Sequence, residues 1–230
     1  GNTIPTTFWM VANVFSRPDV VARLRAELQP LVLRRRQADG ANEVASINVA
    51  RFDQVCPLLV SCYRESIRLS NHALCVRRVT DDTVISSSSG SYVLKKDADV
   101  HMPAGFTHRA EAVWGADAAA YDADRFVNNQ ARLTAAAERT RRAAYIPFGG
   151  GKHLCPGRNF AFAEILGTAA ALVLAFEAQE PGGLPAMATT TIMGGASKPV
   201  STGEGVGLVL WRRPGWETLR FTFEVAAPSA

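Results

Sequence analysis

The sequence predicts a mainly α-helical fold with small β-sheets, an α+β arrangement. Three observations carry the prediction. Apolar residues recur at helical spacing in two long stretches: Val20, Val21, Leu24, Leu28, Leu31 and Val32, then Val55, Leu58, Leu59, Cys62, Ile67 and Leu69. Residues 159–176 are apolar nearly all round, as a buried helix is. Short alternating runs, by contrast, are confined to 83–103 and 206–225. A chain of 230 residues can bury a sizeable core, and no internal repeat divides it, so 1–230 reads as a single domain.

In order, residues 3–15 carry Ile4, Phe8, Trp9, Val11, Ala12, Val14 and Phe15 and predict a buried helix, with Pro5 in its first turn or at a kink. Ser16-Arg17-Pro18-Asp19 breaks it and starts the next, which extends to Val32. Residues 37–42 form a polar loop. Residues 52–69 are the following helix, where Glu65 and Arg68 stand three apart and share a face. For an arbitrary pair at this spacing the expectation is a surface ion pair of small effect. Thr83-Val-Ile85, Tyr92-Val-Leu94 and the run from Val100 are short strands, with serine-glycine turn material at 86–91. Residues 108–126 are rich in turn and aromatic residues. Prolines at 181 and 185 end the long apolar helix. Val206, Leu208 and Leu210, a Pro214-Gly215 turn, and Leu219, Phe221, Phe223 and Val225 then predict a closing hairpin.

The 25 basic and 21 acidic residues leave a net charge of +4, too mild and too scattered for a nucleic-acid surface. Arg34-Arg35-Arg36, Arg141-Arg142 and Arg212-Arg213 are short clusters, read as solvated, with an acidic partner or membrane surface as the alternative for one of them. The cysteines at 56, 62, 75 and 155 make neither a metal-binding doublet nor a disulfide framework, which suits a reducing compartment. Cys56 and Cys62 read as core packing in a helix. No signal-peptide pattern is visible, and the apolar run 165–176 is short for a bilayer span. The chain opens at Gly1-Asn2-Thr3 without methionine, which leaves an anchor ahead of it open.

The most distinctive stretch is Phe148-Gly-Gly-Gly-Lys-His-Leu-Cys155-Pro-Gly-Arg158. Glycines allow close backbone approach around a single sulfur, and the positive end of the following helix favours a thiolate there. A partner suited to one axial thiolate without further protein ligands is haem iron. A phosphate-binding loop is disfavoured, because neither Ser nor Thr follows Lys152.

The pattern Phe-x-x-Gly-x-x-x-Cys-x-Gly, met by Phe148, Gly151, Cys155 and Gly157, resembles the haem-binding loop of the cytochrome P450 family. Glu65-x-x-Arg68 is similar to the family's upstream helix signature. Trp114-Gly115 followed by Asp124-Arg125-Phe126 resembles the segment ending in an Arg-Phe pair, although Ala123-Asp124 stands where Pro-Glu is usual. With the opening helix, these motifs occur in family order across nearly the whole chain. The resemblance implies the C-terminal part of the cytochrome P450 fold. It implies haem (iron protoporphyrin IX) with Cys155 as axial ligand, Phe148 packed near the sulfur, and His153 and Arg78 facing haem propionates. It also implies a buried triad of Glu65, Arg68 and Arg125, and a distal pocket lined by Ala73, Leu74, Cys75 and Val76 and by Gly207 and Leu208.

Counting back from Arg17-Pro18-Asp19, the family's proton-delivering alcohol falls on Asn2 and its acid on Gly1. Thr3 is the nearest hydroxyl, about 100° round the helix from residue 2. The string from Asn2 to Trp9 resembles the branch of bile-acid sterol hydroxylases and prostacyclin synthase. The implied function is a haem-thiolate monooxygenase acting on a small lipophilic, sterol- or terpenoid-like substrate, with electrons from NADPH through a reductase. The implied location is the cytosolic face of the endoplasmic reticulum membrane, reached through an N-terminal anchor outside this chain. The alternatives are an isomerase that rearranges a peroxide without O2 or reductase, and a truncated product without activity.

Overall fold

The computed structural model describes residues 2–36, 43–87, 89–127, 133–179, 195–198 and 209–224. The predicted loop at 37–42, the proline break at 181–185 and Val206, Leu208 and Val225 lie outside them. The core is built on α1 (Thr3–Phe15), α2 (Pro18–Leu28), α4 (Pro57–Ser70) and α8 (Arg158–Ala175). Pro5 sits in the first turn of α1, where its missing N–H costs nothing. By length and composition α8 is apolar enough to cross a bilayer. Here it buries Ile165, Leu166, Ala169, Ala170, Val173 and Leu174 in the same cluster as α1, α2 and α4.

Two predicted helices are shorter than their periodicity suggests. Pro30 lacks an N–H, so α2 closes in a 3-10 turn at Gln29–Leu31 and the chain extends into β1 (Val32–Arg36). Pro57 likewise divides the 52–69 stretch into α3 (Phe52–Val55) and α4, with Cys56 at the joint. The N-terminus of α4 carries no side-chain cap of its own. Glu27 of α2 supplies one from outside, its carboxylate accepting from the Leu58 and Leu59 N–H groups at 2.8 and 2.9 Å. Glu27→Ala leaves two orphan donors at the positive end of α4 and is expected to cost about 1–2 kcal/mol, read as a lowered denaturant midpoint at unchanged slope.

β1 pairs antiparallel with β2 (Glu43–Asn48), and β2 pairs in parallel with β9 (Arg220–Glu224). β3 (Leu74–Arg78) pairs with β6 (Asp99–Pro103), and β4 (Thr83–Ser87) with β5 (Gly90–Leu94), both antiparallel. The predicted closing hairpin does not form. β8 (Val209–Arg212) pairs with β7 (Phe176–Gln179), directly after α8, while β9 joins β2. The Pro214-Gly215 turn exists, with Gly215 at φ +78°, but it separates strands of different sheets. α5 (Ala104–Thr107), α6 (Glu111–Trp114) and α7 (Ala135–Ala144) complete the described elements.

The arginine clusters are only partly solvated. Arg213 Nη1 donates to the Leu174 carbonyl at 2.6 Å, and Arg25 donates to the carbonyls of Val173 and Phe176 at 2.9 and 2.8 Å. Together they place cations at the negative end of α8 and satisfy its last carbonyls. Arg212 bonds the Trp216 and Leu219 carbonyls, and Arg34 stacks 4.3 Å over the Trp216 ring.

Candidate functional site

Glu65 and Arg68 occupy the inner face of α4 and are fully buried. The guanidinium of Arg68 has five N–H groups, and each finds an acceptor. Nε and Nη2 donate to the two Glu65 oxygens at 2.7 and 2.8 Å. Nη1 donates to the His108 and Ala118 carbonyls at 2.6 Å each, and Nη2 also reaches the Ala120 carbonyl at 3.2 Å. Arg125 Nε donates to Glu65 Oε1 at 2.9 Å, and its Nη2 meets Asp117 Oδ2 at 3.0 Å. The Asp122 N–H also reaches Glu65 Oε1 at 3.1 Å. The guanidinium carbons of Arg68 and Arg141 stand 5.1 and 5.5 Å from the centroid of the Trp114 ring. One carboxylate thus holds the 117–125 loop against α4.

His108 carries this network toward the cysteine loop. Its carbonyl accepts from Arg68 while its Nε2 accepts the Ile146 N–H at 3.0 Å. Burial, with the Arg68 charge nearby, pushes the imidazole down from 6.5 to about 4 and keeps it neutral. A depressed folded-state value gives stability that is present above the unfolded value and lost as pH falls. Unfolding free energy is therefore expected to drop between pH 6.5 and about 4, by about 3 kcal/mol if His108 acted alone. His108→Gln, which cannot protonate, should flatten that part of the curve in denaturant titrations.

After the β-bridge at Pro147 and Gly149, the loop turns twice through left-handed backbone, at Gly149 (φ +78°) and Gly151 (φ +65°). The turn is closed by the Cys155 N–H donating to the Phe148 carbonyl at 3.0 Å. Phe148 packs against the core cluster, while Cys155 is exposed. Gly157 is the N-cap of α8, and a Cβ there would stand 4.0 Å from the Cys155 sulfur. Only Gly149 is tight of the two: a Cβ there would lie 2.9 Å from Cys75 Sγ. Cys56, at the joint of α3 and α4, and Cys62 of α4 are buried, and burial pushes both thiols up to about 12.

A cavity of about 430 Å³ opens beside the sulfur. It brings together Cys155, His153, Phe148 and Gly157 of the loop region, Asn2 and Thr3 of the opening helix, and Ala73 and Cys75. Thr6 lines it too, one turn beyond Asn2, and its Oγ1 donates to the Asn2 carbonyl at 2.8 Å. The Asn2 side-chain oxygen accepts from the Ala196 N–H at 3.4 Å. Strand alternation divides the predicted substrate residues: Ala73 and Cys75 face the cavity, while Leu74 and Val76 are exposed on the other face. Gly207 and Leu208 lie outside the described residues.

The same alternation places the two neighbouring arginines on opposite faces. Arg78 points away from the loop and forms an exposed cross-strand pair with Asp99 at 2.9 Å. Its neighbour Arg77 faces the loop and donates to the Gly150 carbonyl at 2.8 Å. Counting by twos from Ala73 and Cys75 would have found Arg77. The residues present fit a haem. One exposed sulfur faces a cavity with apolar walls, the flanking glycines leave room at it, and Arg77 and His153 lie near as donors for acidic groups. Among the described residues no cluster of His, Cys, Asp and Glu could cage a metal ion directly.

Comparison with known proteins bears on the family and the fold. The cytochrome P450 family profile matches residues 1–201. A cytochrome P450 monooxygenase of Gibberella zeae is 43% identical over 96% of this chain, and the chain spans 42% of that relative's length. Cytochrome P450 monooxygenase nodJ of Hypoxylon pulicicidum is 30% identical over 76% of the chain, which spans 34% of it. Cholesterol 7-alpha-monooxygenase of Cricetulus griseus is 29% identical over 71%, with 33% of that protein spanned. The crystal structure of a cytochrome P450, CYP102L1, superimposes with a TM-score of 0.65 over 92% of the chain and 42% of its own, at 23% identity, which shows the shared fold. A glycine-bound cysteine loop, a buried Glu-Arg-Arg cluster behind it and a matching profile over 1–201 lead to one assignment: the chain belongs to the cytochrome P450 family.

Proposed function

We propose that the protein is a haem-thiolate monooxygenase that inserts one oxygen atom from O2 into a lipophilic substrate, with electrons from NADPH through a reductase. The observation that carries the reading is the cavity shared by the Cys155 sulfur, the N-terminus of α1 and the edge of β3. A haem bound there supplies dioxygen activation, favoured by electron donation from a thiolate ligand. The chain supplies the rest. Cys155 would ligate, Phe148 would pack near the sulfur and moderate its electron donation, and Arg77 and His153 would hold the propionates. Ala73, Cys75 and Thr3 border the substrate, and Thr3 and Thr6 are the hydroxyls able to relay protons at the cavity. Support for a sterol- or terpenoid-like substrate comes from the apolar lining and from the cholesterol-oxidising relative. On this reading the membrane is reached through residues outside 1–230.

Asn2 favours a second reading, a peroxide isomerase needing neither O2 nor reductase. An amide donates a hydrogen bond but is a poor proton donor, so the position that usually delivers protons cannot do so in the ordinary way. Incubation of the haem-loaded protein with a sterol panel, NADPH, reductase and isotopically labelled O2 separates the two. Label in the product supports the monooxygenase, whereas endoperoxide turnover without NADPH or O2 overturns it. No product in either assay would favour an inactive truncated product.

A further inference from the structure

The segment leading into the cysteine loop lies in no named strand, so its backbone groups need other partners. Ile146 gives its N–H to His108 Nε2, and its carbonyl accepts from Gly149 at 3.1 Å. Pro147 has no N–H to place. The Phe148 carbonyl accepts from Cys155 at 3.0 Å. Of the carbonyls of 146–148 that of Pro147 remains, and it accepts from Asn71 Nδ2 at 2.7 Å in a buried bond. We propose that this bond makes Asn71 a positioning residue for Cys155, one that fixes where the sulfur stands relative to the cavity wall. The role rests on the haem-thiolate reading above.

Asn71 is placed to do this because it ends one element and begins another. It is the C-cap of α4, the helix that carries Glu65 and Arg68, and its own N–H returns to the Ile67 carbonyl at 2.9 Å. Its Oδ1 accepts the Ala73 N–H at 2.6 Å, which fixes the start of β3. The orientation of the amide follows from its partners, since a carbonyl can only accept and a backbone N–H can only donate. One side chain, 8% exposed, therefore spans the triad helix, the strand that lines the cavity and the loop that bears the sulfur. Strand and loop meet again where Gly149 faces Cys75 Sγ, close enough that a Cβ at residue 149 would lie 2.9 Å from that sulfur.

Asn71→Asp keeps an acceptor for Ala73 but removes the donor and sets a carboxylate oxygen against the Pro147 carbonyl. Asn71→Ala removes both bonds without adding charge and guards against misfolding of the aspartate variant. Both are made in the full, haem-loaded protein and read in two ways, by the reduced carbon-monoxide difference spectrum and by amide hydrogen exchange. The expected result is exchange about tenfold faster at the Gly149 and Cys155 amides while the interior of α8 is unchanged. The thiolate-type band should fall several-fold in the same samples. Unchanged exchange at those amides, equal acceleration throughout, or an undiminished thiolate-type band would each overturn the positioning role. If the unsubstituted protein itself gives no thiolate-type band, the haem-thiolate reading falls, and this proposal with it.

Discussion

Glu65→Gln is expected to lower unfolding free energy by about 3–5 kcal/mol, several times the effect of breaking an exposed ion pair. Two guanidiniums share the Glu65 carboxylate, and Arg68 is completely out of solvent. A glutamine accepts at one atom only and presents N–H groups where Arg68 or Arg125 also donates. The cations are then left without a counter-charge in a place water does not reach. Since domains are stable by only about 5–15 kcal/mol, the loss approaches the whole margin. Chemical denaturation monitored by tryptophan fluorescence, with Trp114 inside the network, measures it. The exposed Arg142–Glu138 pair at 2.7 Å is the control, and breaking it should change stability by less than about 0.5 kcal/mol. Equal effects at the two sites would mean that burial does not set the cost.

Cys155→Ser has the opposite profile. The side chain is exposed and packs no core, so stability should change by no more than about 0.5 kcal/mol. The thiolate-type band and substrate turnover should both fall to background, because a serine hydroxyl is a poor ligand at neutral pH. Cys62→Ser should reverse the pattern. It places a hydroxyl in a fully buried position of α4 at a cost of about 1–3 kcal/mol and leaves the band intact. A band that survives at residue 155 and disappears at 62 would remove Cys155 from the site altogether.

The features legible in the sequence are those written in local spacing. The cysteine loop is visible because its glycines stand at fixed offsets from one sulfur. α1 and α8 are visible because their apolar residues are dense. Periodicity misleads where proline intervenes: Leu31 and Val32 continue the helical spacing of α2, but Pro30 has already removed the N–H that a continuing helix needs. β1 is thereby absorbed into that helix. The failed hairpin has a different cause. Alternation at Leu210 and Phe221 announces strands but says nothing of their partners, which lie at 178 and 45 in the sequence. At the site, Asn71 gives no signal, because its value lies in two backbone groups brought to it from Ala73 and Pro147.

The parallel pairing of β2 with β9 sets a condition on how this chain reaches its fold. Ser46 and Glu224, hydrogen-bonded at 2.5 Å across the pair, are 178 residues apart in sequence. β1 and β2 can form their hairpin early, since little chain entropy is spent in closing so short a loop. During synthesis β2 then waits with an open edge until β9 leaves the ribosome, by which time all the helices of the core have emerged. That long-range closure is expected to be the slow step of folding. A chain terminated before Arg220 would keep the cysteine loop and the buried triad, yet expose an unpaired strand edge to its neighbours.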